Sequence, residues 1–425
     1  MPCGTLALWI LATATLLGVP AYAWQARGRD YAVFGFVSLA VSIPGALVIG
    51  GRLHELMPPE RRVWLDLLLG FGMIAAGAHL AGLVKPRLRR ALFRRLVSLP
   101  GLAFLAGGAL AGLWLLALLP LRVALDMLGF DRALDALRWL DATPLTVAVL
   151  SVITSSRLVP EVVRVSVASD GPPEVARLPV ERYRRRRPRP LETRPLRIVQ
   201  IADPHLGPWQ PVTKLRRRIE ALIAHEPDLV VLTGDFLTME GVGTPGALAR
   251  ALEPLARVRG RSFAIFGNHD HESPDEVRHA LEANGVRLLV DEEATLETPV
   301  GPVQIVGADY PGRRRRERIE ALLRRFPRRD GHLRMLLLHD PRGFRHVPKG
   351  DVDLTLSGHT HGGQVGLLSF GIDWTVLRRS AWPDHGLFGH GSNRLYVHRG
   401  TGFYGFPLRV GVPGEASVLE LSKAG

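Results

Sequence analysis

Residues 4–24 (GTLALWILATATLLGVPAYAW) and 31–51 (YAVFGFVSLAVSIPGALVIGG) contain no charged side chain. A third apolar run follows Asp66 (LLLGFGMIAAGAHLAGLV, 67–84), and a fourth extends from Leu96 to Leu119. Each is close to the ~20 apolar residues that a bilayer-crossing helix requires. Four such runs in so short a stretch are more than a soluble core of this size would bury, so spanning helices are expected at about 4–24, 31–51, 63–84 and 96–119. AYAW at 21–24 has the small residues of a signal-peptidase site, but no Lys or Arg precedes the apolar run, and the first helix is read as retained. A shorter run, ATPLTVAVLSVITSS, lies between Asp141 and Arg157. Snorkelling of Arg157 would lengthen it into a fifth span at about 142–159, with an interfacial helix as the alternative. Residues 1–160 are thus expected to form a transmembrane region.

Sidedness depends on that fifth span. The segment KPRLRRALFRR (85–95) carries six basic residues and is expected in the cytoplasm. Five spans would bring the C-terminal half to the same side of a bacterial plasma membrane, and four would place it outside. The five-span reading also suits RYRRRRPRP (182–190), a juxtamembrane cluster fitted to anionic inner-leaflet lipids. Residues 161–195 are rich in Pro and Arg, with weak strand patterning in EVVRVSV, and read as a linker. The formal net charge of +14 favours phosphate-bearing partners, either lipid headgroups or nucleic acid. With Cys3 the single cysteine, no internal disulfide can form, and any metal must be held by His, Asp, Glu or Asn.

From residue 196 the pattern alternates between buried-type strands and amphipathic helices, as an α/β domain with a partly parallel sheet requires. LRIVQIAD (196–203), DLVVLTGD (228–235) and SFAIFGNHD are strands, with others expected at 303–307, 334–338, 353–356, 395–398 and 416–421. KLRRRIEALIAHE (214–226) puts Leu215, Ile219, Leu222 and Ile223 on one helical face. Polar residues cluster just past the strands. Asp203 and His205 follow the first, Asp235 the second, and Asn268, His269 and Asp270 the third; His339 follows RMLLL, and His359 and His361 follow DLTLS. Sites in open α/β sheets form beyond the carboxyl ends of strands. Five strand ends bearing only imidazole or oxygen donors point to one metal site.

The series D-P-H, G-D, G-N-H-D, H and G-H-T-H resembles that of the calcineurin-like metallophosphoesterases. The resemblance covers roughly 196–421, and the tail GHTHGGQ, LYVHRGTG and PLRVGVPGEASVLEL is similar to a bacterial membrane-associated branch. Some members of that branch or its neighbours act on phospholipids, or on the UDP-diacylglucosamine intermediate of lipid A synthesis. The resemblance implies a β-sandwich flanked by helices, in α/β/β/α layers, over 196–425. It also implies two divalent cations (Mn, Fe, Zn or Co), one held by Asp203, His205, Asp235 and His361 and the other by Asp235, Asn268, His339 and His359. Asp235 would bridge them. A hydroxide shared by the two metals would attack phosphorus in line. His269 would assist the leaving oxygen, oriented by Asp270. Glycines around His359 and His361 would allow the tight bend that aims the two rings at separate metals. Ala202 and Pro204 replace the Ser and Leu usual in the family; Pro204 stiffens the loop.

Other signals are weaker. Lone histidines (His225, His271, His279, His332, His346, His385, His390, His398) are expected to be structural or solvated, with His271 and His346 the likeliest exceptions for lying near the motifs. Trp209 is expected to pack, with contact to an acyl chain as the alternative. The run GRRRRERIEALLRRFPRR (312–329) reads as a helix with a solvated basic face, with phosphate attraction as its functional alternative. The combination predicts a membrane-anchored phosphoesterase acting on a lipid- or nucleotide-linked substrate. The anchor and the lack of interleaved aromatics argue against a nuclease. The unbroken ligand set argues against a non-catalytic membrane sensor. Oligomeric state is left open by the sequence.

Overall fold

The computed structural model describes residues 3–154, 157–167, 170–183, 194–310, 312–402, 405 and 408–423. The basic cluster at 184–190 lies outside the described residues. The chain forms two compact units that divide after Thr154.

The first unit is helical. It contains α1 (Cys3–Arg27), α2 (Arg29–Leu56) and α3 (Pro59–Gly82); α4 (Ala91–Phe93) then runs through one π-helical turn into α5 (Leu99–Met127). Among the described residues, four helical stretches are long and apolar enough to cross a bilayer: Leu6–Arg27, Arg29–Leu56, Pro59–Gly82 and Ala91–Met127. Lipid tails are as apolar as leucine, so these helices associate through close backbone approach and internal hydrogen bonds. A Cβ on Gly45 would lie 2.3 Å from the Gly108 carbonyl, and one on Gly108 would lie 2.0 Å from that of Ser42. Ser42 Oγ donates to the Leu105 carbonyl at 2.8 Å, and Tyr31 Oη to that of Leu80 at 2.7 Å. Leu17, Leu68, Leu113 and Leu116 face outward.

After α6 (Asp131–Trp139), Asp141 is fully buried and pairs with Arg52 at 3.1 Å, Arg122 at 2.5 Å and Trp114 Nε1 at 3.1 Å. α7 (Thr143–Thr154) then runs back along α5, since Leu145 and Ala148 pack on Gly107. The fifth span expected at 142–159 is not formed at that length. Twelve residues reach about 18 Å at 1.5 Å each, short of the ~30 Å hydrocarbon core. The helix is cut short by a valine-rich strand that begins at Leu158.

That strand also corrects the linker reading. β1 (Leu158–Val167), β2 (Ala176–Arg177) and β3 (Glu181–Tyr183) all join the sheets, with Val163 and Val165 buried at the two-residue period that Arg and Pro in this stretch obscure. The unit continues with β4 (Leu196–Ile201), α8 (Val212–Ile223), β5 (Leu229–Leu232), α9 (Met239–Val242), α10 (Ala247–Leu252), β6 (Ser262–Ala264) and α11 (Pro274–Ala283). Then come β7 (Arg287–Leu288), β8 (Glu292–Thr298), β9 (Gly301–Gly307), α12 (Arg315–Arg325), β10 (Leu333–Leu337), β11 (Leu354–Ser357), β12 (Gly386–His390), β13 (Asn393–Val397) and β14 (Gly414–Lys423).

Two mixed seven-stranded sheets result, ordered β3-β1-β14-β4-β5-β6-β7 and β2-β12-β13-β11-β10-β9-β8. Strands β4 to β7 pair in parallel, as do β9, β10, β11 and β13. One apolar core joins the sheets, with Ile198, Leu229 and Phe263 of the first meeting Ile305, Met335 and Leu354 of the second. A second core seats α12 on the outer face of the second sheet through Ile319, Leu322 and Leu323 against Val306, Leu336 and Leu395. The α/β/β/α sandwich is thus the observed architecture. Trp209 is buried, which answers to packing.

Candidate metal centre

The carboxyl ends of β4, β5, β6, β10 and β11 converge, and the side chains just beyond them meet. Asp203, His205 and His361 form one group of potential ligands, and Asp235, His339 and His359 a second. His361 Nε2 lies 3.3 Å from His205 Nε2 and 3.5 Å from Asp203 Oδ1. His339 Nε2 lies 3.2 Å from both Asn268 Oδ1 and His359 Nδ1. Asp235 Oδ2 stands between the groups, 3.7 Å from His205 Nε2 and 3.3 Å from His339 Nε2. All seven residues singled out as ligands therefore surround one locus.

The local backbone explains how short loops achieve this. Asp203, His205, Asp235, His359 and His361 all have positive φ, between 42° and 71°. Such a conformation is uncommon for residues other than glycine and persists only where the surroundings enforce it. The bend falls on the ligands themselves rather than on their flanking glycines alone. Two glycines act through space. A Cβ on Gly267 would lie 2.2 Å from Asp235 Oδ1, and one on Gly358 would lie 2.3 Å from Asp203 Oδ2.

Hydrogen bonds aim the donor atoms. His339 Nδ1 donates to the Thr233 carbonyl at 2.6 Å, which turns Nε2 inward. The His269 amide donates to Asp235 Oδ1 at 3.0 Å, leaving Oδ2 between the groups. The His359 amide donates to the Asp203 carboxylate at 3.0 Å. Burial lowers the pKa of His205 and of His359 to about 4, so both rings are neutral bases. Burial raises Asp203, with the Asp235 charge adding to it. Burial would also raise Asp235, but His339 and His205 hold it well below the usual carboxylate range. Burial opposes protonation of His339, yet Asp235 and Asp203 raise its pKa. Buried carboxylates thus recruit a proton onto an imidazole facing them. Neutral imidazoles and carboxylates aimed at common points, without thiolate, form a donor set that fits borderline divalent cations in place of that proton.

His269 and Asp270 part company. Both oxygens of Asp270 accept backbone N–H groups, from Asp235 at 2.7 Å, Phe236 at 2.8 Å and Gly267 at 2.7 Å. Asp270 is therefore not the orienter of His269. It ties the β5 and β6 loops together, and burial raises its pKa to about 6. The carboxylate that meets His269 Nδ1 is Glu272, at 3.0 Å. His269 still stands at the centre, its ring 5.8 Å from that of His205.

Several neighbours went unmarked in the sequence. Arg409, fully buried, places Nη2 3.3 Å from His361 Nδ1 and donates to the carbonyls of Arg399 and Gly402 at 2.7 Å. The Trp382 ring stacks on His359 with centroids 5.3 Å apart, and the Arg342 guanidinium lies 3.7 Å from the Trp382 ring centroid. Buried Asp340 fixes Arg342 (2.7 Å) and Arg315 (2.9 Å). Asp340 could have been noticed as the residue next to His339. Trp382 carries no local signal, since tertiary folding alone brings it there.

The arrangement sets two adjoining groups of metal-type ligands at the strand ends of a two-sheet sandwich. The calcineurin-like phosphoesterase family matches residues 196–363. Metallophosphoesterase YkuE of Bacillus subtilis (strain 168) is 30% identical over 53% of this chain and 78% of its own length. Phosphodiesterase YaeI of Escherichia coli (strain K12) is 29% identical, covering 53% of this chain and 82% of that protein. A transmembrane protein with metallophosphoesterase domain from Danio rerio is 28% identical over 60% of this chain and 58% of its own. The chain belongs to the calcineurin-like metallophosphoesterases and is a metal-dependent phosphoester hydrolase.

Proposed function

We propose that this protein is a membrane-anchored two-metal phosphoesterase that hydrolyses a phosphate ester or pyrophosphate bond of a lipid- or nucleotide-linked substrate. The observation that carries the reading is Asp235 Oδ2, placed between the two ligand groups as a bridging carboxylate would be. Asp203, His205 and His361 would complete one site, and Asn268, His339 and His359 the other. Two divalent cations in this donor set supply the Lewis acidity that makes water nucleophilic near neutral pH and that neutralises phosphoryl oxygens. His269, beside the centre, would protonate the leaving oxygen, with Glu272 holding its ring. Asp270 fixes the loops that carry Asp235 and His269.

Four apolar helices support membrane attachment, and the attachment supports a substrate at the bilayer surface. α7 is too short for a full span but packs back along α5 toward its start, and on this reading the chain leaves the bundle on that side, next to the basic segment 85–95, as five spans would have placed it. By the positive-inside rule that face is the cytoplasmic one of a bacterial plasma membrane. The relative named a phosphodiesterase supports diester cleavage. The test uses full-length protein in detergent with Mn²⁺, offered UDP-diacylglucosamine, phospholipids and bis-p-nitrophenyl phosphate, with His359→Ala as control. Cleavage of a lipid substrate that is lost in the variant is the expected result. Cleavage of the generic diester alone would remove the lipid part of the reading. No cleavage of any substrate would overturn the whole.

A further inference from the structure

The arginine-rich run at 312–329 is only partly used by the fold. Arg315 reaches Asp340, Arg318 reaches Asp291, Arg328 reaches Asp353 and Arg329 reaches Glu293. Arg316 and Arg324 are different. They share one carboxylate, Glu320, at 2.9 and 3.9 Å, and both line a cavity of about 830 Å³. Arg345, His346 and Lys349 line it from the segment after Asp340, and His390 from the end of β12. None of the seven metal-centre residues lines it.

With Arg328, which also lines the cavity, five cationic side chains here face two carboxylates, Glu320 and Asp351; Arg328 is already paired with Asp353, and Asp351 is held by Arg334. The surplus is felt by both histidines. Burial lowers the pKa of His346, with Arg345 and Arg316 adding to the effect, and burial and Lys349 lower that of His390. The buried His390 Nδ1 has no hydrogen-bond partner among the described residues. The walls are preset. Asn393 accepts the Gly350 amide at 2.9 Å and donates to the Pro348 carbonyl at 2.8 Å, while Arg345 holds the Ala381 carbonyl at 2.8 Å. Leu323 and Val347 give an apolar floor.

We propose that this cavity is a second anion site, which takes a small, multiply charged phosphate group of the pyrophosphate type. Several guanidinium forks around one volume suit tetrahedral oxyanions that offer oxygens in many directions. A singly charged ion would neutralise only part of the lining. The two imidazoles add N–H donors and can take up a proton once the anion enters. The site does not depend on the metal-centre reading. Its ligand is either a soluble phosphoanion or the phosphorylated head of a lipid.

The test is calorimetric titration of pyrophosphate into the full-length protein, depleted of metal with a chelator and held in phosphatidylcholine nanodiscs at low ionic strength. Saturable binding near one equivalent is expected, weakened at least about tenfold in Arg324→Glu/Lys349→Glu, two exposed positions. Arg316→Ala, also exposed, should weaken it less, and unchanged thermal unfolding would show that each variant folds. Repetition in discs containing phosphatidic acid separates the sources. Loss of pyrophosphate binding there supports a lipid headgroup, and retention supports a soluble ligand. Absence of saturable binding, or equal affinity in the charge-reversal variant, overturns the proposal.

Discussion

The two units use glycine for opposite purposes. In the helical unit, Gly45 and Gly108 let backbones touch, and a methyl group on either would enter a neighbouring carbonyl. In the sheet unit, Gly267 and Gly358 leave room for carboxylates, those of Asp235 and Asp203. The treatment of charge also differs. The helical unit gathers two arginines and a tryptophan around one buried acid, Asp141. The sheet unit buries opposed carboxylates and neutral imidazoles side by side, on positive-φ backbone. In the helical unit cationic and N–H donors surround the buried acid; the metal locus of the sheet unit instead holds a surplus of ligand atoms that a cation would satisfy. The contrast teaches that a buried charge is structural when its partners are complete and points to a ligand when they are not.

Breaking each kind of site should give distinct outcomes. The largest effect is expected for Asp235→Asn, which removes the shared carboxylate. Phosphodiester hydrolysis should fall by at least about a thousandfold, equivalent to about 4 kcal/mol of barrier, with little change in thermal unfolding. Next are the glycines. Gly358→Ala should lower activity about a hundredfold with loss of bound metal, as disturbance of a ligand's support does. Gly108→Ala should instead disrupt assembly of the helices while the metal content of folded protein persists. Asp141→Ala leaves Arg52 and Arg122 without their acid. The helical unit should lose about 3–5 kcal/mol, read as reduced resistance to denaturation in detergent.

The smallest effects sharpen the contrast inside the sheet unit. Glu272→Gln removes a part-exposed partner of His269 and should change the rate only about two- to fivefold, the scale of a solvent-screened pair. Buried Glu415 gives a pH dependence. Burial would raise its pKa, but His398, Arg399 and Arg182 hold it below the ordinary 4.5. A depressed carboxylate contributes stability that is full above its unfolded value and lost as pH falls through the folded value. Wild type should therefore lose more stability than Glu415→Gln as pH drops below about 4.5, a difference that denaturant titration at several pH values would measure.

Much of this was legible in the sequence, for identifiable reasons. Metal-type donors follow strands directly, so each apolar run announced the side chain to come, as DLVVLTGD announces Asp235. The four long helices were equally plain, because charge-free runs of that length have few other uses. The short elements were not. β1 was hidden because EVVRVSV sits beside a Pro- and Arg-rich stretch and its partner, β14, lies some 250 residues away along the chain, where Leu158 meets Gly414. The length of α7 is not legible because a snorkelling Arg157 would be equally compatible with a longer helix. The part played by Asp270 was hidden because its partners are backbone amides, which every sequence has. Trp382 and Arg409 reach the site only through tertiary folding.

The most direct test of the central claim is metal content. Full-length protein purified in detergent and loaded with Mn²⁺ should carry two equivalents per chain by elemental analysis, and His359→Ala no more than one. Less than one equivalent in the wild type, or equal content in both proteins, would contradict the account.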